Sequence, residues 1–233
     1  MKQCKIAIVD SGICSHADIP ENVFAIKQNF IGPMNIYGDC TGHGTHMAGI
    51  IHKTSSQSSL YVAKVLDERN SGDDYDFIRA LAWCIENKVD IINISAANPE
   101  IPPEPTHELI QCAHAQGIII VAAGDNNQKT VCYPAKYPEV IGVTSIDRNK
   151  NLSAFGYAGE GIDVAACGEN IESTWLGNRY MTLSGTSQAA AIVTGLVARL
   201  LEKRNDVHTT NIKKLLRTEY PDELVFYDEG HFV

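Results

Sequence analysis

Three short stretches of the sequence carry side chains that together could break an acyl bond. Val9-Asp10-Ser11-Gly12 places Asp10 at the end of an apolar run. Gly42-His43-Gly44-Thr45-His46 places His43 in a glycine-rich turn, and Ser184-Gly185-Thr186-Ser187 places Ser187 at the head of a long helical pattern. A serine hydroxyl becomes a nucleophile when a base takes its proton, and an imidazole serves as that base when an acceptor fixes its tautomer. Aspartate, histidine and serine are therefore a chemically complete set. A helix starting at Ser187 would add free backbone N–H groups suited to an oxyanion. Singly, each signal is weak: an aspartate after a strand is common, and a serine at a helix start is most often a cap. His43 and His46, three positions apart, could share a metal, but no third ligand stands at useful spacing, so no metal or cofactor is assigned. The G-x-S-x-G elbow is absent, because Thr186 precedes the serine and Gln188 follows it. The order Asp, His, Ser along the chain makes the combination far more specific than its parts.

The elements that must position these groups are legible as alternating patterns. Apolar, β-branched runs at 5–10, 60–66, 89–95, 117–124 and 140–147 read as strands. Their near-continuous hydrophobicity implies cover on both faces, as in a parallel sheet. Helical patterns fall at 44–53, 73–88, 106–117 and 186–204, the last rich in small and apolar residues. The Pro-rich stretch 98–108 reads as a rigid loop between a strand and a helix. This alternation predicts an α/β, doubly wound, mainly parallel sheet flanked by helices. In such sheets ligands bind beyond the carboxyl ends of the strands, which directs attention to Asp10, Ser95 and Asp125.

The 233 residues are 44% hydrophobic, enough for one sizeable core, and are read as a single domain, 1–233. A net charge of −9 makes nucleic acid or an anionic membrane an unexpected partner. Seven cysteines without a close CxxC pair argue against a disulfide framework or a zinc site and suit a reducing compartment. The N-terminus shows no signal-peptide pattern and no window spans a membrane, so a cytoplasmic location is expected.

The stretches VDSG, GHGTHMAG and SGTSQAAA resemble the three active-site signatures of the subtilisin-like serine proteases. LYVAKVLDERNSG, VDIINIS, GIIIVAAG, YPAKYPEVIGVTSID and LSAFG are similar to the intervening segments of that family, in the same order, so the resemblance covers nearly the whole chain. It implies peptide hydrolysis, with Ser187 as nucleophile, His43 as general base and acid, and Asp10 as the orienting carboxylate. It also implies a peptide or protein substrate held as an extended strand between two edge segments. Those segments are Arg69, Asn70, Ser71, Gly72, Asp73 and Asp74 on one side and Ser95, Ala96 and Ala97 on the other. The first specificity pocket is expected between Ser95–Ala97 and the stretch Ala122, Ala123, Gly124, with Cys132 at its base where the family often has glycine. Asp73, Asp74 and Asp76 suggest a preference for lysine or arginine upstream of the cut. Their charge also suits a helix N-terminus.

One residue departs from the pattern. After the strand ending Ala122-Ala123-Gly124 the family usually has an asparagine whose amide joins the Ser187 N–H in holding the oxyanion, and here the residue is Asp125. A carboxylate only accepts hydrogen bonds, and loss of one oxyanion donor costs about 10²–10³ in turnover. Four readings follow. Asp125 is protonated and donates, which would shift activity toward acidic pH; Asn126 supplies the amide from the next position; the Ser187 N–H acts alone; or the chain is a non-catalytic peptide-binding module on the same fold. An esterase using the same triad is a further alternative. Between His43 and the strand at 60–66 the connection is shorter than the calcium-binding loop of many family members, so no calcium site is expected there. Met1 stands directly before the first strand, so no pro-segment is expected. Such a chain would suit intracellular turnover or restricted processing, such as trimming a leader from a precursor. Gln188 and Ala191 replace a methionine and a proline usual in the family's last signature, and neither change removes a catalytic group.

Overall fold

The computed structural model describes residues 3–127, 130–228 and 231–232. Strand β1 (Lys5–Asp10) is flanked by β3 (Ser59–Lys64) and β4 (Ile91–Ile94), both parallel to it. Beyond β3 lies β2 (Phe24–Asn29), and beyond β4 come β5 (Ile119–Ala123), β6 (Val140–Ile146) and β7 (Val164–Cys167), all parallel. Two antiparallel strands, β10 (Leu224–Asp228) and β11 (His231–Phe232), extend the β7 edge to a nine-stranded sheet. A separate hairpin pairs β8 (Ile171–Trp175) with β9 (Arg179–Leu183).

Both faces of the sheet are covered, which is why its central strands read as unbroken apolar runs. Side chains alternate between two cores. Ile6, Ile8, Val121 and Ala123 face helices α1 (His43–Thr54) and α4 (Thr186–Lys203). Ala7, Val9, Ile120 and Ala122 face α2 (Asp74–Glu86) and α3 (Glu104–Ala115). The short α5 (Ile212–Glu219) packs against β10. The Pro-rich stretch is a loop only in part. Pro103 caps α3 and the helix begins at Glu104, with Pro105 in its first turn, where a missing N–H is harmless.

Two features fix where α1 and α4 begin. Asp10 continues the side of β1 that carries Ile6 and Ile8, so its carboxylate points toward α1. Gly44 lets α1 start directly against β1, since a methyl group there would run into the Gly12 carbonyl. On α4, the buried Thr194 hydroxyl donates to Asn93 Oδ1 of β4 at 2.8 Å. Seven residues, or about two turns, separate Thr194 from Ser187, so this bond sets the nucleophile over the end of β4.

Candidate active site

Asp10 is fully buried, and its two carboxylate oxygens lie 2.8 and 3.0 Å from His43 Nδ1. A third bond, from the Ser11 N–H at 2.7 Å, fixes the carboxylate. Burial disfavours the His43 imidazolium, but the charge and hydrogen bond of Asp10, with Asp39 further off, outweigh it and raise the histidine above its ordinary value. Ser187 is buried in the first turn of α4, and its hydroxyl donates to the Ser95 carbonyl at 3.3 Å. The ends of β1 and β4 and the starts of α1 and α4 thus converge. His46 is a core residue: it packs edge-on against Trp175 and bonds the Met181 carbonyl at 3.0 Å. Burial holds it below the ordinary histidine value.

The start of α1 is held by Asp39, which the sequence reading passed over. Its buried carboxylate accepts from Gly42 N at 2.8 Å, Thr41 N at 3.0 Å, Thr45 N at 2.9 Å, Thr45 Oγ1 at 2.7 Å and Ser11 Oγ at 3.0 Å. Burial alone would raise this carboxyl, but the donors on Thr45, Gly42 and Thr41 win and lower it. It does the work of an N-cap that Gly42 cannot do. An aspartate four residues before the helix start was the available signal. Lys64, buried at the end of β3, donates to the carbonyls of Leu66 at 3.1 Å and Ser11, placing a cation beside the strand end that carries Asp10. A lysine inside the apolar run LYVAKVL was the clue to it.

Asp125 stands at an unusual backbone angle. Its φ is 115°, a region that side chains rarely adopt. The carboxylate accepts from Asn126 N at 2.7 Å, from the Asn127 amide and from Cys132 Sγ at 3.3 Å. In each of these contacts the carboxylate is the acceptor. The side chain that reaches the nucleophile's turn is that of Asn126, whose Oδ1 accepts from Thr186 N at 2.9 Å. Nothing in the local sequence announces the positive φ at Asp125 that precedes this contact.

The expected groove residues divide. Asn70, Ser71, Gly72, Asp73 and Asp74 line a cavity of 310 Å³ together with Ala96 and Ala97. Phe77, Pro102 and Tyr133 give it apolar walls. Asp73 caps α2 by accepting from Tyr75 N at 2.7 Å, and Asp74 accepts from Asn98 Nδ2 at 3.3 Å. Asp76 is ion-paired with Arg79 at 3.0 Å. Arg69 is tied by its N–H to Asp67 Oδ1 at 2.9 Å, in the turn just before the cavity. The side chains of Ala122 and Ala123 are buried in the two cores, one on each side of β5. Cys132 is buried, bonds the Gly124 carbonyl through its N–H at 2.9 Å, and has its thiol pushed up to about 11 by burial and by Asp125. The short connection after α1 is tied to α4, with Ser55 and Ser58 both donating to Glu202 at 2.9 Å. Among the described residues no group of three or more His, Cys, Asp and Glu could hold a metal, and no helix is long and apolar enough to cross a membrane.

A family model described as the subtilase family matches residues 1–230. The chain belongs to the subtilase family. It is 34% identical over 235 residues to the minor extracellular protease Epr of Bacillus subtilis, a match covering 96% of this chain and 35% of that protein. It is 37% identical over 218 residues to the thermostable alkaline protease of Halalkalibacterium halodurans, covering 89% and 59% respectively. Subtilisin DY of Bacillus licheniformis is 33% identical over 227 residues, covering 91% of this chain and 81% of that one. The crystal structure of a cold-adapted subtilisin-like serine proteinase superposes with a TM-score of 0.85 at 25% identity, over 92% of this chain and 81% of that chain. This subtilase chain spans about a third of the length of the first of these relatives and under two thirds of the second.

Proposed function

We propose that this subtilase chain is a serine endopeptidase. The observation that carries the reading is the buried Asp10 carboxylate held on His43 Nδ1, with Ser187 at the start of α4 bonded to the carbonyl that follows the neighbouring strand β4. Asp10 keeps the proton on Nδ1, so that Nε2 is free to act as base. For the reaction the Ser187 hydroxyl exchanges the Ser95 carbonyl for that nitrogen, and catalytic hydrogen bonds are often long or unmade before substrate binds. Ser187 attacks the peptide carbonyl, His43 takes its proton and returns it to the leaving amine, and water repeats the sequence on the acyl-enzyme. The Ser187 N–H and the Asn126 amide hold the oxyanion. Accepting from Thr186 N orients that amide so that its N–H₂ is the group left to donate.

The substrate lies extended along Ser95–Ala97 and 70–74, its upstream side chain entering the 310 Å³ cavity. Asp73 and Asp74 at that cavity favour lysine or arginine there, with the stem against Phe77 and Tyr133. Thiols such as those of Cys14 and Cys40 suit a reducing cytoplasm, and the acidic groove suits restricted processing of a precursor peptide rather than general digestion. Hydrolysis of a peptide library by the wild type but not by Ser187→Ala tests the reading. A library without basic enrichment upstream of the cut removes the specificity part, and a wild type that binds peptides without cleaving them favours a binding module.

A further inference from the structure

Two of the seven cysteines lie beside the turn that starts α1, and the chemistry above uses neither. Ile13 N donates to the Tyr37 carbonyl at 3.1 Å and Asp39 N donates to the Ile13 carbonyl at 3.3 Å, so the chain after β1 runs alongside residues 37–39. Cys14 and Cys40 are the next residues of these two segments. Chains bonded in this way lie about 5 Å apart, and one step along either keeps two Cα atoms within the roughly 4.4–6.8 Å that a disulfide spans. The Cys14 thiol donates to the Asp39 carbonyl at 3.2 Å, which sets its sulfur on the peptide bond that enters Cys40. Cys40 is exposed, and Cys14 is half-buried on the wall of an open cavity of 600 Å³. Burial raises the Cys14 thiol above its ordinary value. The charges of Asp39 and Cys40 act with burial, while the Asp39 carbonyl bond and Lys64 act against it.

We propose that Cys14 and Cys40 are a modification site: they close to a reversible disulfide that lowers the reactivity of Ser187. The oxidant is a soluble disulfide, such as oxidised glutathione. The exposed Cys40 thiolate attacks one of its sulfurs, forming a mixed disulfide and releasing one reduced glutathione. Cys14 then gives up its proton and its sulfur attacks that of Cys40, expelling the second glutathione as a thiolate that takes up a proton. One S–S bond forms in the protein, one breaks in the oxidant, and two electrons pass from the protein thiols to glutathione. Closure takes the Cys14 sulfur off the Asp39 carbonyl and pulls Cys40 toward it. Cys40 stands between Asp39 and the donors that seat α1, since Thr41 N, Gly42 N and Thr45 N all bond the Asp39 carboxylate. Cys14 N donates to Thr45 Oγ1 at 3.0 Å, so both cysteines are tied to the first turn of α1. His43 lies within that turn, and a pull at Cys40 moves its imidazole relative to Ser187. The effect on reactivity rests on Ser187 being the nucleophile; the disulfide does not.

The test treats the folded full chain with oxidised glutathione, maps its peptides by mass spectrometry, and follows fluorophosphonate labelling of Ser187 in parallel. The wild type should yield the Cys14 and Cys40 peptides joined, two hydrogens lighter than the separate thiols. Its labelling rate should fall by about tenfold or more and return with dithiothreitol. Cys112, exposed on α3 with its sulfur on the Gln116 amide, should stop at the mixed disulfide and serves as an internal control. Cys14→Ser should likewise stop at a mixed disulfide on Cys40, and Cys40→Ser should label at a rate that the oxidant leaves unchanged. A wild type whose Cys40 stays glutathionylated, or a joined Cys14–Cys40 pair with labelling unchanged, overturns the proposal. A reduced wild type that never labels refutes the peptidase reading and the effect on Ser187 with it, while the peptide map still decides the disulfide.

Discussion

Asn126 and Asp125 are adjacent in the chain and would act oppositely on an oxyanion, one donating a hydrogen bond and the other repelling charge. The account assigns the donor to Asn126. Asn126→Ala should therefore lower kcat by about 10²–10³ with little change in KM, because the contact is made only in the transition state. An equal loss in kcat/KM arising from KM would contradict the assignment, and steady-state kinetics on one good substrate decides it. The Asp10–His43 pair gives a pH prediction. His43 acts as base only when neutral, and its folded value is raised, so kcat/KM should fall as pH drops through a midpoint above the ordinary histidine value of about 6.5. The stability sign is the reverse. The imidazolium–Asp10 pair is fully stabilising below the unfolded value and that contribution is lost as pH rises through the folded one. The Asp10–His43 pair was readable in the sequence because residue type and chain order carry the chemistry. The identity of the oxyanion residue was not, because it depends on the backbone turn at Asp125.

At the scale of elements, the buried Thr194 hydroxyl ties α4 to β4. Thr194→Val removes the hydroxyl that donates to Asn93, leaving a buried acceptor unpaired at a cost of about 1–3 kcal/mol. Asn93 also donates to Ser95 Oγ at 3.1 Å, so the same change loosens the segment that meets Ser187. Urea unfolding should show the stability loss, and turnover per folded molecule should fall with it; a neutral Thr194→Val would mean that apolar packing alone seats the helix. Asp39 makes the corresponding demand on α1. Its lowered carboxyl stabilises the fold above the unfolded value, and that stability is lost as pH falls through the depressed folded value. Acid unfolding of Asp39→Asn should lack this component. The central strands and the long helices were legible because burial on both faces leaves continuous apolar runs. β2 was not: in Phe24–Asn29 only the two end residues are buried, so no period shows. Nor was β9, whose Arg179–Leu183 is almost wholly exposed and is held by its hairpin partner.

For the whole molecule, the account joins a nucleophile at one end of the sheet to a groove that continues upstream from it into an acidic cavity. A substrate reaching that cavity should be cleaved far better than one truncated before it. Removing the upstream residues should lower kcat/KM by about tenfold or more, since remote binding is used to position the reacting carbonyl. The segments 70–74 and 96–97 that line the cavity were reached from the sequence only through its family resemblance. The depth of the cavity was not legible, because Tyr133 and Phe77 arrive from distant parts of the chain. The central claim is that Ser187 is an activated nucleophile despite the aspartate beside the oxyanion asparagine. Fluorophosphonate labelling over about pH 5 to 9 tests it most directly, with Ser187→Ala and Asp125→Asn alongside. The account predicts labelling of the wild type that requires Ser187 and rises with pH as His43 loses its proton. A wild type that stays unlabelled while Asp125→Asn labels would contradict it, and would show that Asp125 silences the site.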